Sequence, residues 1–157
     1  MTLQPVGDAD LPALLALNNT HSAELSLLDL ERFRALVGMS LWAARIGAGD
    51  AFMLLLDQTA DYASPNYGWF HARYGRFAYV DRVAVAPAAR GRGLARRLYA
   101  GAFAAASGHG RIMAEVNIEP PNPASDALHA ALGFREVGRA VIHGGAKTVR
   151  YLERTLP

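Results

Sequence analysis

The 157-residue chain contains no cysteine. That excludes a disulfide framework, a thiolate nucleophile and any metal site built on sulfur. No apolar run approaches the ~20 residues that a membrane span needs. The first residues, Met-Thr-Leu-Gln-Pro-Val-Gly-Asp, hold no basic stretch followed by an apolar one and do not read as a secretory leader. A cytoplasmic chain is the expectation, with no membrane partner. Net charge is small too: 16 Lys and Arg face 14 Asp and Glu, leaving +2, which gives no ground for a nucleic-acid partner. His21, His71, His109 and His143 show no metal-ligand spacing, so no metal is expected. Internal repeats and low-complexity tracts are absent. What is present, 52% apolar and 19% charged residues, suits one globular domain over residues 1–157.

The first half reads as an edge strand at Thr2 to Pro5, then two helices. The first has Asp8 or Asp10 at its cap and Leu11, Leu14, Leu15 and Asn18 on one face. The second is capped by Asp29, carries Leu30, Phe33, Leu36 and Val37, and is stopped by Gly38. Leu41 to Ile46 and Ala51 to Leu56, flanking a Gly-rich link, predict a hairpin. Residues 58–76 read as a long irregular segment containing Ser64-Pro65-Asn66. Half of the chain's aromatic residues fall between Tyr62 and Tyr79, which argues against disorder and leaves core packing and a pocket wall both open. The second half alternates: strand Phe77 to Val85, helix Gly91 to Ser107, strand Arg111 to Val116, and a helix capped by Asn122 that ends at Gly133. Closing strands follow at Val137 to Ile142 and Thr148 to Leu152. That order predicts an α/β domain with some parallel pairing.

Chemistry concentrates where the strand ending at Val85 meets the helix. Arg82, Arg90, Arg92, Arg96 and Arg97 lie within sixteen residues, a local basic cluster on a near-neutral chain. Such a cluster suits a compact anion rather than a long polyanion. Glycines 91 and 93 allow close backbone approach, and the N–H groups of a helix start are free to bind an anion. Arginines there oppose the helix dipole by ~0.3–1 kcal/mol each, a repulsion that a polyphosphate would reverse. A phosphate loop of the Gly-Lys-Ser/Thr type is absent. A dinucleotide fingerprint wants a small residue where Arg96 stands, although Glu115 lies near the place of its ribose acid.

Arg90-x-x-Gly93-x-Ala95 after Val83-x-Val85-x-Pro87, followed by Asn122-x-x-Ser125-x-x-Leu128-His129-x-x-x-Gly133-Phe134, resembles the two coenzyme A motifs of the GNAT-type N-acetyltransferases. The resemblance covers about residues 77 to 140. It implies a mixed, mostly antiparallel sheet, splayed between two strands, with helices on both faces. It also implies acetyl-CoA as cosubstrate. The backbone of Val83, Ala84 and Val85 would hold the pantetheine arm. Arg90, Gly91, Arg92, Gly93, Leu94, Ala95 and Arg96 would take the pyrophosphate, and Asn122 would meet the pantetheine from across the gap.

The implied reaction is direct attack of a primary amine on the thioester, with a base for the amine and an acid for the thiolate. Period-2 alternation sets Met113, Glu115 and Asn117 on one face of their strand, and Glu115 is the candidate base. A salt bridge to an arginine is its structural alternative. Asp81 is the second candidate, or else a partner of Arg82 or Arg97. His129 stands where the family usually has a tyrosine as general acid. Its ring donates protons near neutral pH, or simply bonds the pantetheine or a carbonyl. A small amine or a peptide is the expected acceptor, and the closing strands are a candidate homodimer edge. A non-catalytic acyl-CoA-binding module is the rival reading.

Overall fold

The computed structural model describes residues 2–21 and 25–157. Its strands are β1 (Leu3–Pro5), β2 (Trp42–Ile46), β3 (Ala51–Asp57), β4 (Ala78–Val85), β5 (Arg111–Glu119), β6 (Arg135–Ile142) and β7 (Lys147–Thr155). They form a seven-stranded sheet in the order β1-β2-β3-β4-β5-β7-β6. Every pairing is antiparallel except that of β4 with β5. The helices are α1 (Leu11–Thr20), α2 (Leu30–Met39), α3 (Pro65–His71), α4 (Leu94–Ala105) and α5 (Pro123–Ala131).

β3 explains the layering. Ala51 to Leu56 are all fully buried, so the strand reads as an unbroken apolar run covered on both faces. Met53 and Leu55 face α4 through Leu98 and Ala102. Phe52 and Leu54 face α1 and α2 through Leu14, Phe33 and Leu36. Each such side chain contributes ~1.5–3 kcal/mol on burial. Further along that second face, Leu56, Tyr79 and Met113 pack against Tyr67 and Phe70 of α3. The opposite face also takes Leu128 and Leu132 of α5. The predicted mixed sheet with helices on both faces is therefore the observed one.

Several boundaries differ from the sequence reading, three of them at helices. The segment 58–76 is not irregular throughout, because α3 lies inside it. The Ser64 hydroxyl accepts the Tyr67 N–H, and Pro65 opens the helix, so the Ser-Pro-Asn signal marks a helix start. Its aromatics are largely core, with Tyr67 and Phe70 buried and Trp69 stacked on Tyr151 at 4.3 Å between centroids. Gly38 does not stop α2, which runs on to Met39. α4 begins at Leu94 rather than Gly91, since Gly91 and Gly93 hold left-handed φ values of 78° and 71°.

The feature that positions the site is the parallel pair. β4 and β5 share only the levels Ala78↔Ile112 and Tyr79↔Met113. Just beyond, Leu55 faces Val80 while Leu54 faces Arg82, so Asp81 is an extra residue in β4. A bulge of this kind bends its strand and increases local twist. β4 leaves β5, and a slot opens through the middle of the sheet.

Candidate active site

The slot is a cavity of about 610 Å³, bordered by Val83 to Val85 on β4 and Ala114 to Asn117 on β5. A second hollow of about 230 Å³ lies over the turn between β4 and α4. Arg90, Gly91, Gly93, Leu94, Ala95 and Arg96 line it, whereas Arg92 lines neither cavity. Gly93 is the N-cap of α4 and has no side chain with which to cap it. Among the described residues no side chain caps the first N–H groups of the helix, and Leu94, Ala95 and Arg96 border the hollow. Leu94 is buried in the core, so its contribution to the turn is its backbone. Arg92 reaches only the Ala88 carbonyl, at 3.5 Å.

Asn122, at the start of α5, borders the main cavity. Its side-chain carbonyl caps Ser125 N–H at 3.3 Å, which leaves its amide donors for a ligand. Apart from Arg92, the residues expected to hold a nucleotide-bearing thioester line these two neighbouring cavities, which share Val85, Arg90, Ala95 and Leu128.

Glu115 lies on the face of β5 that looks toward α3. It pairs with Tyr151 of β7, whose hydroxyl donates to Asn66 Oδ1 at 2.9 Å. The residue is half-buried, yet its Oε2 is enclosed and has no hydrogen-bond partner. Burial pushes its carboxyl up to about 8, with the Asp81 charge acting in the same direction and Tyr79 and Asn66 pulling against both. A carboxyl that titrates near neutral pH and lacks one partner is suited to exchanging a proton. No salt bridge to an arginine is formed by Glu115 among the described residues. Asp81 differs. Burial raises it as well, but Arg82 Nε bonds it at 3.0 Å. Arg82 is held in turn by Asn18 and Ser26. Asp81 is a closed pair.

His129 projects from α5 on the other face and is 3% exposed. Its Nδ1 lies 2.7 Å from the Ser125 carbonyl, which can only accept, so Nδ1 carries the proton. Nε2 then accepts the hydroxyl proton of Tyr99, at 2.6 Å. Burial lowers the pKa of His129, opposed by the Ser125 bond and the Asp126 charge. Tyr99 itself is fully buried on α4 and raised above the usual phenol range by burial. Sequence reading missed Tyr99, Asn66 and Tyr79. The one available hint was a hydroxyl-bearing ring beside the Leu94–Leu98–Ala102 stripe of α4.

Residues 58–134 match the acetyltransferase (GNAT) family. A stretch of 56 residues is 48% identical to a phosphinothricin N-acetyltransferase of Streptomyces coelicolor, covering 36% of this chain and 33% of that protein. The matched part is thus about a third of the curated relative's length. The ribosomal-protein-alanine N-acetyltransferase of Brucella melitensis superposes with a TM-score of 0.74 at 25% identity, over 99% of this chain and 100% of that one. The Salmonella typhimurium protein yncA, solved with its cofactor acetyl-CoA, gives 0.70 at 20% identity, over 100% and 94%. Among the described residues, no helix is long and apolar enough to cross a membrane.

Proposed function

We propose that this chain, a member of the GNAT acetyltransferase family, transfers an acetyl group from acetyl-CoA directly to a primary amine. The observation that carries the reading is a slot between β4 and β5 that bears a part-unpartnered carboxyl, beside a hollow over the glycine turn that precedes α4. The residues suit the cosubstrate. Free helix N–H groups and Arg90 and Arg96 would take the pyrophosphate, and the unpaired edge of Val83 to Val85 would take the pantetheine amides. Asn122 would close on the arm from α5.

Glu115 takes the proton of the acceptor amine. Its nitrogen bonds to the thioester carbonyl carbon, the carbon–sulfur bond breaks, and sulfur leaves with the electron pair. On the opposite wall the acid side would be the Tyr99–His129 pair, with the Tyr99 hydroxyl as donor and His129 Nε2 positioning it. In the resting state the proton available there is the hydroxyl proton that Tyr99 and His129 share. The thiol has a pKa of roughly 8.5 by analogy with cysteine, so it leaves readily and needs modest help. The reading includes a single domain, a small amine or peptide acceptor and a cytoplasmic place. β6, at the end of the sheet with Val141 exposed, is the edge along which a second copy would pair.

The occupied nitrogens of His129 favour the rival, a module that binds acyl-CoA without turning it over. Coenzyme A release from acetyl-CoA in the presence of an amine panel separates the two. Amine-dependent release supports the enzyme, and saturable binding with no release supports the module. Failure to bind acetyl-CoA in calorimetry overturns both.

A further inference from the structure

We infer that the acceptor carries an anionic group, such as a carboxylate, several bonds from its amine, and that Lys147, with His143, receives that group. This rests on the acetyl-transfer reading and specifies its acceptor.

Lys147 is the only lysine in a chain otherwise supplied with arginine. It lines the main cavity, is half-buried, and has no ion pair or hydrogen bond among the described residues. Lysine presents a compact charge on a flexible four-carbon stem, which suits reaching a mobile ligand.

Its placement follows from register. Lys147 pairs with Ile142 where β6 meets β7. On β7, alternation puts Lys147, Val149 and Tyr151 on one face. Tyr151 pairs with Glu115 and Val149 with Asn117, so Lys147 shares the face of Glu115. Four residues separate the two levels, or about 13 Å along the strand. A four-carbon lysine stem is long enough to cover part of that span. An amine at Glu115 with an acid several bonds away fits between them. His143 borders the same end of the cavity. Its φ of 54° is left-handed, a conformation that non-glycine residues rarely adopt, beside Gly144 and Gly145 in the same region.

Charge balance points the same way. Asp81 is neutralised by Arg82. Burial pushes the Glu115 carboxyl up to about 8, and it stands about 13 Å along the strand from the level of Lys147. Among the described residues Lys147 has no ion pair at the cavity, and a purely cationic acceptor would be repelled. An acceptor that brings its own anion removes that repulsion.

The test compares 3-aminopropanoate through 6-aminohexanoate with the alkylamine of matching length, using kcat/KM in the parent and in Lys147→Met. The parent should prefer the acid by at least tenfold at one or more lengths, and Lys147→Met should bring that ratio close to one. Lys147→Arg should keep most of it. Equal or better use of the alkylamines by the parent overturns the proposal. So does a preference that survives Lys147→Met, or acetylation of none of these compounds. The acetyl-transfer reading is judged separately, by acetyl-CoA binding and amine-dependent coenzyme A release with the wider panel.

Discussion

The two walls of the slot are built on opposite terms. On the α5 side His129 is closed, engaging Ser125 and Tyr99 with its two ring nitrogens, while Asn122 caps its helix through its carbonyl and keeps its amide donors. On the α3 side, among the described residues, Glu115 keeps an enclosed oxygen with no hydrogen-bond partner and Lys147 has no ion pair. A satisfied buried network is rigid and specifies one geometry, whereas an unpaired buried polar atom costs free energy until something binds it. In the proposed reading the first wall would hold the cosubstrate and the second would meet the acceptor.

The largest effect should come from the end of the first wall. Gly93→Asp sets a side chain and a negative charge over the helix N-terminus, in a left-handed residue. An added Cβ meets nothing within 4 Å, so the fold should survive with only local strain. Calorimetry should show acetyl-CoA binding lost by more than about 100-fold, a free-energy change of about 2.7 kcal/mol. Unchanged affinity in the folded variant removes the turn from the cosubstrate site.

Glu115→Gln tests the other wall. It keeps shape and removes the titrating group, so kcat at neutral pH should fall ~10²–10⁴-fold. Acetyl-CoA affinity should hold, and part of the rate should return at high pH, where the amine arrives deprotonated. A parent-like rate and pH profile would make Glu115 structural.

His129→Phe and Tyr99→Phe ask whether the closed wall also does chemistry. If the shared proton serves the leaving sulfur, each variant should lower kcat by about 10²-fold, near the lower end for acid catalysis. The double variant should then add little beyond either single, and His129→Tyr should retain substantial activity. A parent-like kcat with a raised acetyl-CoA KM would leave the pair a positioning role alone.

The smallest effect is on stability. Glu115 has its folded pKa raised to about 8, from 4.5. Its contribution is full below about pH 4.5 and is lost as pH rises through 8, because the folded state must then hold a buried anion. Glu115→Gln removes that loss. Thermal unfolding should show the variant gaining on the parent between pH 5 and pH 9, by on the order of 1–2 kcal/mol after allowance for water in the slot. A gap that is constant with pH would mean that the carboxyl is not buried as an anion.

The first wall was legible because its chemistry is local. The glycine turn at 91 to 93 and the cap at Asn122 depend on a few neighbouring residues, although the helix after the turn begins at Leu94 and not at Gly91. Contiguous sequence therefore carries them. Glu115 was legible in part, through strand alternation that separated it from Ala114 and Val116. Its raised pKa was not, since that depends on Asp81, Tyr79 and Asn66, brought in from β4 and α3.

Only the tertiary structure decided the rest. Tyr99 meets His129 because α4 and α5 cover one face of the sheet, a contact across 30 residues that no spacing encodes. The β5–β7 register sets Tyr151 opposite Glu115 and carries Lys147 onto the same face. The extra residue at Asp81 parts β4 from β5. By itself the sequence determined the sheet's composition, the turn that would bind phosphate and the identity of the titrating groups. Their proximity, and with it their proton affinities, came from packing. Backbone geometry is set by nearest neighbours, whereas desolvation and charge coupling depend on whichever atoms the fold brings within a few ångströms.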